Sequence, residues 1–149
     1  MKKKLLYLVN DLEYFLSHRF DIALAAKQKG YEVYVYYGTL RRGDPTRLTD
    51  QNIKVKSFFI NRRKKNLFLD FLTFSNLFFI TLLLRPKIIH LISIKPYLYG
   101  GIIARLLRIH GVVSSVSGLG NALSVENTKK FTTRVFLKPI FTFAFNNKN

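Results

Sequence analysis

Short apolar runs alternate with amphipathic segments from the first residues of the chain. Residues 4–9 form an apolar run that stops at Asn-Asp, which predicts a buried strand. Residues 17–29 predict a helix, with Ser17 as its N-cap and Gly30 in the left-handed position after its end. Residues 31–37 consist of Tyr and Val apart from Glu32, and this richness in β-forming residues is typical of a second strand. The chain therefore opens as strand, helix, strand.

The same alternation continues through the rest of the chain. A loop over residues 41–52 is predicted from its Gly, Pro, Asp and Thr content. Further strands are predicted over residues 53–60, 88–92 and 112–116, and further helices over residues 66–84, 96–109 and 130–146. Strands that alternate with helices imply right-handed crossovers and a parallel sheet covered on both faces. The predicted fold class is α/β, a Rossmann-like, doubly wound parallel sheet in one domain over residues 1–149.

The helix predicted over residues 66–84 is the main membrane candidate, because its apolar part approaches the roughly 20 residues that cross a bilayer. Asp70, Thr73, Asn76 and Thr81 recur at spacings of three to five residues and draw a narrow polar stripe. We expect a helix that is buried on most of its surface, or one that lies on a membrane, rather than one that spans it. The basic and apolar N-terminus is interpreted as a strand, since its apolar run is too short for a signal peptide.

Charge and composition restrict the classes of partner. The 149 residues include 25 Lys and Arg against 8 Asp and Glu, a formal net charge of +17, which favours phosphate-rich partners. Without Cys there is no disulfide or thiolate metal site, and the three His show no metal-ligand spacing, so neither a metal nor a cofactor is predicted. The aromatic residues follow core periods and are not interleaved with basic ones, which disfavours nucleic acid as a partner.

Ligands of open parallel sheets bind beyond the carboxyl ends of the strands, so the segments after each strand are the candidates. The segment after the first strand lacks Gly-x-Gly-x-x-Gly, which argues against a dinucleotide oxidoreductase. Its polar residues are acceptor-binding candidates near a helix N-terminus, and they are Asn10, Glu13, Ser17, His18 and Arg19. The structural alternative is equally open: Ser17 only caps a helix, and His18 and Arg19 form its solvated first turn.

Two later segments offer further candidates. After the fourth strand, Ser93 and Lys95 are expected to face the cleft, whereas His90 is expected to be a buried, backbone-satisfied histidine rather than a catalytic one. After the fifth strand, Ser117, Gly118 and Gly120 belong to a Ser-Gly-Leu-Gly loop whose backbone amides can approach a phosphate or a sugar. An ordinary loop remains the alternative there. No catalytic residue is assigned.

Several of these stretches resemble one family. Residues 6–19, which include Leu-Ser-His-Arg, look like the opening of bacterial retaining GT-B glycosyltransferases of family four. Three further stretches resemble the region around that family's fourth strand and the next helix. They are Arg-Pro-Lys-Ile-Ile-His at residues 85–90, Lys-Pro at 95–96 and Tyr-Gly-Gly-Ile-Ile-Ala-Arg at 99–105. Ser-Gly-Leu-Gly at 117–120 resembles the loop after its fifth strand, especially in members that build surface polysaccharide, although many relatives have His where this chain has Ser117.

The resemblance implies an acceptor-side lobe. Enzymes of that family have two Rossmann-like lobes, the first holding the acceptor and the second holding a nucleotide sugar through carboxylates that include a Glu-x₇-Glu pattern. The chain contains no such pattern, so we expect the C-terminal donor-binding lobe to be absent and the chain to be inactive alone. The implied reaction is transfer of a hexosyl or N-acetylhexosaminyl group from a nucleotide sugar to a lipid-linked saccharide in surface polysaccharide synthesis.

A membrane location follows as an expectation from the charge and the apolar helix. The basic turn of Arg62, Arg63, Lys64 and Lys65 is a candidate for docking on anionic lipid at the inner face of the plasma membrane. Expected partners are a lipid-linked acceptor, this membrane surface and a separate C-terminal subunit, with a nucleotide sugar bound only when a donor lobe is present. The alternative function is a non-catalytic, basic accessory protein at the membrane surface.

Overall fold

The computed structural model describes residues 2–38, 43–60 and 67–115. Its strands, in chain order, are β1 (Lys4–Val9), β2 (Glu32–Gly38), β3 (Lys54–Phe58), β4 (Ile88–Ile92) and β5 (Gly111–Ser115). Its helices are α1 (Leu12–His18), α2 (Phe20–Gln28), α3 (Thr46–Thr49), α4 (Leu67–Leu84) and α5 (Ile94–Leu106). The predicted helix over residues 130–146 lies outside the described residues.

The five strands form one parallel sheet in the order β3-β2-β1-β4-β5. The central strand β1 pairs with β2 on one side and β4 on the other, and its last residue, Val9, is in register with both Tyr37 and Ile92. The chain winds outwards from β1 towards β3 and then returns to add β4 and β5 on the opposite side. This order confirms the predicted doubly wound, Rossmann-like α/β fold.

The sheet is covered on both faces by separate apolar clusters. Alternate residues of β1 point to opposite faces of the sheet. Tyr7 packs in the cluster with α1, α2 and α3. Leu6 and Leu8 pack in the cluster with α4 and α5. Five of the six residues of β1 are buried. A strand buried on both faces needs the continuous apolar run that this strand has.

The helix predicted over residues 17–29 begins earlier than expected and is divided in two. Asp11, not Ser17, caps α1, because its carboxylate accepts hydrogen bonds from the backbone N–H groups of Glu13 at 3.0 Å and Tyr14 at 3.2 Å. Ser17 lies in the last turn, where its hydroxyl donates to the carbonyl of Glu13 at 2.9 Å. Arg19 separates α1 from α2. The Asn-Asp pair that ends β1 thus also starts the helix, and the assignment of Ser17 as N-cap was wrong.

Two other boundaries differ from the prediction. The loop predicted over residues 41–52 contains the short helix α3, whose turn follows Pro45. The helix α5 starts at Ile94, ahead of Pro96, because proline is tolerated in a first turn whose N–H groups lack intrahelical partners.

The helix α4 divides its predicted polar stripe, because Thr73 and Thr81 face the sheet whereas Asn76 is exposed. Thr73, Leu77 and Thr81 are its buried residues. The two threonine hydroxyls donate within the helix, to the carbonyls of Leu69 at 2.9 Å and Leu77 at 2.7 Å, so they bring no unsatisfied polar group into the core. Only three of the 18 residues of α4 are buried, so the expectation of a helix buried on most of its surface was wrong, and the alternative of a helix lying on a membrane stays a prediction. By length and composition alone, α4 is the one helix of the described ranges that could cross a membrane.

Candidate functional site

The strand order reverses between β1 and β4, whose following helices leave on opposite faces of the sheet. Asn10 and Ser93 come directly after the paired residues Val9 and Ile92, so the two side chains start from neighbouring positions at the carboxyl edge. Gly38, the last residue of β2, lies on the other side of Asn10. We call Asn10, Gly38 and Ser93 the switch-point edge. Such an edge is where open α/β sheets bind ligands.

Asn10 supplies an oxygen without a partner. Its side-chain Oδ1 is buried, and within the described ranges no donor reaches it. The backbone comes close here too, since a Cβ atom added to Gly38 would lie 2.9 Å from the carbonyl oxygen of Asn10 and 2.4 Å from a methyl group of Ile60. A buried amide oxygen without a donor carries a desolvation cost, which a ligand hydroxyl would remove.

Ser93 connects β4 to α5 in a rare backbone conformation. Its φ is +81° and its ψ is 158°, a region that residues with a side chain seldom adopt. Its carbonyl accepts the N–H of Tyr97 at 3.0 Å, but its hydroxyl makes no capping bond to α5. The first turn of α5 therefore begins at the switch-point edge without a side-chain cap.

Lys95 is directed at a neighbouring helix. Its Nζ lies 2.7 Å from Oδ1 of Asp70 in the first turn of α4, and each side chain is 25% exposed. Burial, with Asp70 next in importance, raises the pKa of Tyr99 to about 12 and keeps that phenol neutral. The ion pair between Lys95 and Asp70 links the first turns of α4 and α5, and Tyr99 follows in the next turn of α5. Lys95 thus has a carboxylate partner on α4, and its predicted role in binding the acceptor stays a prediction.

The candidates on α1 do not converge on one point. Glu13 is exposed in the first turn of the helix, while Ser17 and His18 are exposed in its last turn, roughly 6–8 Å further along the helix axis. His18 stacks on Tyr14 with ring centroids 4.4 Å apart, and its Nδ1 lies 2.7 Å from the hydroxyl of Ser17. Only Glu13 of these three lies in the turn that adjoins Asn10.

Arg19 belongs to a second polar cluster, on the face of the sheet that α1 covers. Its Nε is buried without a hydrogen-bond partner among the described residues, while Nη1 donates to the carbonyl of His18 at 3.2 Å. Burial first, and the charge of Arg19 second, lower the pKa of His90 to about 4. Burial also raises the pKa of Tyr7, whose ring lies 5.0 Å from that of His90, to about 12. His90 and Tyr7 are both neutral near pH 7.

His90 anchors the end of β5. Its Nε2 lies 2.7 Å from the hydroxyl of Ser115, so this nitrogen has a side-chain partner, where the sequence had predicted a backbone one. Ser115 is the last residue of β5. The roles of Tyr7, Ser115 and Asp70 could not be read from the sequence, since each depends on a neighbour at least 25 residues away along the chain or on another strand.

The remaining candidates fall outside the described residues. They are Arg62, Arg63, Lys64 and Lys65 of the basic turn and Ser117, Gly118 and Gly120 of the glycine loop. Within residues 2–38, 43–60 and 67–115, no three His, Asp or Glu side chains are grouped so that they could hold a metal ion.

The strand order and the switch-point edge define a Rossmann-like α/β lobe. The family model of glycosyl transferase 4-like domains matches residues 4–149, and the chain belongs to this family. None of the curated proteins matches it significantly in sequence. The resemblance drawn from residues 6–19, 85–105 and 117–120 is thereby confirmed.

Solved structures share the fold at low identity. A MurG from Acinetobacter baumannii is 21% identical with a TM-score of 0.60, over 80% of this chain and 38% of its own. A UDP-N-acetylglucosamine 2-epimerase is 16% identical with a TM-score of 0.62, over 94% of this chain and 40% of its own. A glycosyltransferase from Rickettsia africae is 15% identical with a TM-score of 0.54, and the match covers 87% of this chain and 35% of that glycosyltransferase. The chain thus spans about two fifths of the length of these structures.

Proposed function

We propose that this chain is the acceptor-binding lobe of a glycosyltransferase that transfers a sugar from a nucleotide sugar to a lipid-linked saccharide in surface polysaccharide synthesis. Transfer requires a donor-binding lobe, carried on the same polypeptide or on a partner subunit. Membership of the glycosyl transferase 4-like family supports the reaction class. The acceptor and the pathway are part of the proposal.

The observation that carries the proposal is the open hydrogen-bonding capacity of the switch-point edge. Oδ1 of Asn10, to which no donor among the described residues reaches, accepts a hydroxyl of the acceptor sugar, and Ser93 starts from the neighbouring position at the same edge. These groups are neutral, which suits a saccharide.

The membrane location is proposed from charge and exposure together. The formal charge of +17 favours an anionic surface, and α4 carries a strongly exposed apolar side. We place the lobe at the inner face of the plasma membrane, where Arg62, Arg63, Lys64 and Lys65 add to the attraction. The same exposed side is also expected of the second candidate function, a non-catalytic accessory protein at the membrane surface.

A binding measurement separates the two functions. The probe is a short-chain, water-soluble prenyl-diphosphate-linked N-acetylglucosamine, titrated into the full chain and followed by NMR chemical-shift changes, with the prenyl diphosphate alone as a second probe. We expect the sugar-bearing probe to bind more tightly, and Asn10→Ala to weaken it by about tenfold, the effect of one hydrogen bond of about 1.4 kcal/mol.

The matched control is Gln28→Ala, which removes an exposed amide at the end of α2 and leaves the affinity unchanged. Equal affinity for the two probes, unaffected by Asn10→Ala, would favour the accessory protein over the acceptor lobe.

A further inference from the structure

The outer face of α4 carries six of the ten large hydrophobic side chains that are exposed among the described residues. Six large side chains form it, and their exposed fractions are Leu67 89%, Phe68 68%, Phe71 64%, Leu72 42%, Phe79 59% and Leu83 81%. Their positions recur at spacings of one, three, four and seven residues, so they lie along one side of the helix. Contiguous apolar surface of this kind marks an interaction site on a soluble domain.

No charged side chain interrupts this face. The one charged residue of α4 is Asp70, which is paired with Lys95 on the side of α5. The helix places Ser75 and Asn76 as the polar residues nearest to the exposed phenyl groups, and both are uncharged. The outer face can therefore enter an apolar medium without burying an ion.

We propose that the outer face of α4 lies in the interfacial region of an anionic lipid bilayer, with the helix axis parallel to the membrane plane. The inference rests on the proposed function for its membrane location, and it adds the element that docks and its orientation. A spanning arrangement does not fit, because Thr73, Leu77 and Thr81 pack against the rest of the lobe and would have to leave it.

Charge complementarity selects the bilayer as the occupant. Exposed Arg85 and Lys87 follow the C-terminus of α4, and the sequence places four consecutive cations, residues 62–65, before its N-terminus. Eighteen helical residues extend about 27 Å, and Arg85 and Lys87 at the end of the helix can reach headgroups while the phenyl groups enter the acyl boundary. A second copy of this chain, with the same +17 charge, would be repelled from such a face.

Insertion is measured with a reporter on the helix. The chain contains no Cys, so Phe79→Cys provides a single site for a polarity-sensitive dye, and Ile22→Cys, 48% exposed on α2, provides the matched control. The probe membranes are phosphatidylcholine vesicles with and without phosphatidylglycerol. We expect a blue shift for the α4 dye with the anionic vesicles, quenching of that dye by lipids with quenchers on their acyl chains, and neither change for the α2 dye.

Affinity provides a second readout on unlabelled protein. In vesicle co-sedimentation, the double variant Phe71→Gln/Phe79→Gln should bind anionic vesicles at least about tenfold more weakly, because two phenyl groups no longer leave water. Ile22→Gln should bind like the unchanged chain. Circular dichroism checks that each variant is folded.

Three results would overturn the inference, and they differ in what else they affect. A blue shift that appears without vesicles and grows with protein concentration means that a second copy covers the face. If the chain binds vesicles but the α4 dye does not shift and Phe71→Gln/Phe79→Gln has no effect, the membrane location is supported but another surface makes the contact. Absence of vesicle binding removes both the location and the inference, while the soluble acceptor probe still tests the acceptor lobe independently.

Discussion

His90 lies in β4 with 7% of its surface exposed, and a change of pH is the most direct way to perturb it. Burial, with the nearby charge of Arg19, lowers its pKa from 6.5 to about 4. An unfolded chain presents the same imidazole to water, where its pKa is close to 6.5. Between these two values the unfolded state binds a proton that the folded state does not.

The sign and size of the effect follow from that difference. Because the folded-state pKa is lowered, the stabilisation is complete above pH 6.5 and is lost as the pH falls towards 4. Since one pKa unit corresponds to about 1.4 kcal/mol, lowering the pKa from 6.5 to about 4 amounts to at most about 3 kcal/mol of unfolding free energy. Such a loss is a large fraction of the stability of a domain of this size.

Urea denaturation between pH 4 and 7.5 measures this effect, with far-UV circular dichroism as the signal because the chain has no Trp. The variant His90→Gln keeps a polar side chain opposite Ser115 but removes the titrating group. We expect its unfolding free energy to fall less steeply below pH 6.5 than that of the unchanged chain. The control His110→Gln, at an exposed position, should retain the steep fall. Parallel pH profiles for the unchanged chain and His90→Gln would refute the reasoning.

Two further changes probe the site's supports. Gly38→Ala should cost about 1–3 kcal/mol of unfolding free energy, because the new Cβ meets Ile60 and the backbone carbonyl of Asn10. Gly30→Ala should cost about 1 kcal/mol, because the space around Gly30 is open and only its φ of +86° is unfavourable for alanine. Urea midpoints compare the two, and a larger cost at Gly30 would contradict the close approach. A double-mutant cycle of Asp70→Asn and Lys95→Gln should give a coupling energy of about 1 kcal/mol that shrinks in high salt, while strict additivity would argue against the ion pair.

Several features of the fold were predictable because they depend on local pattern. The apolar run of β1, the β-forming residues of β2 and the apolar length of α4 fixed the element types and hence the α/β class. The start of α1 was misplaced because both Asp11 and Ser17 are good N-caps, and sequence alone does not say which one follows the end of the strand.

The candidate site was predictable only as a set of segments. The parallel-sheet rule pointed to the residues after β1 and β4, and the structure brings Asn10 and Ser93 together there. The same rule could not separate Ser17 and His18, which the helix carries away from that edge, from Asn10, which stays on it.

The sequence by itself determined the class of fold, the strongly basic charge and the existence of one long apolar helix, because these follow from composition and periodicity. Only the tertiary structure decided which side of α4 is covered, and it turned the stripe of Thr73 and Thr81 inwards and the phenyl side chains outwards. The tertiary structure likewise pairs Lys95 with Asp70 and His90 with Ser115. Such partners are 25 residues apart in the chain, and only the packing of helices and strands brings them within hydrogen-bond distance.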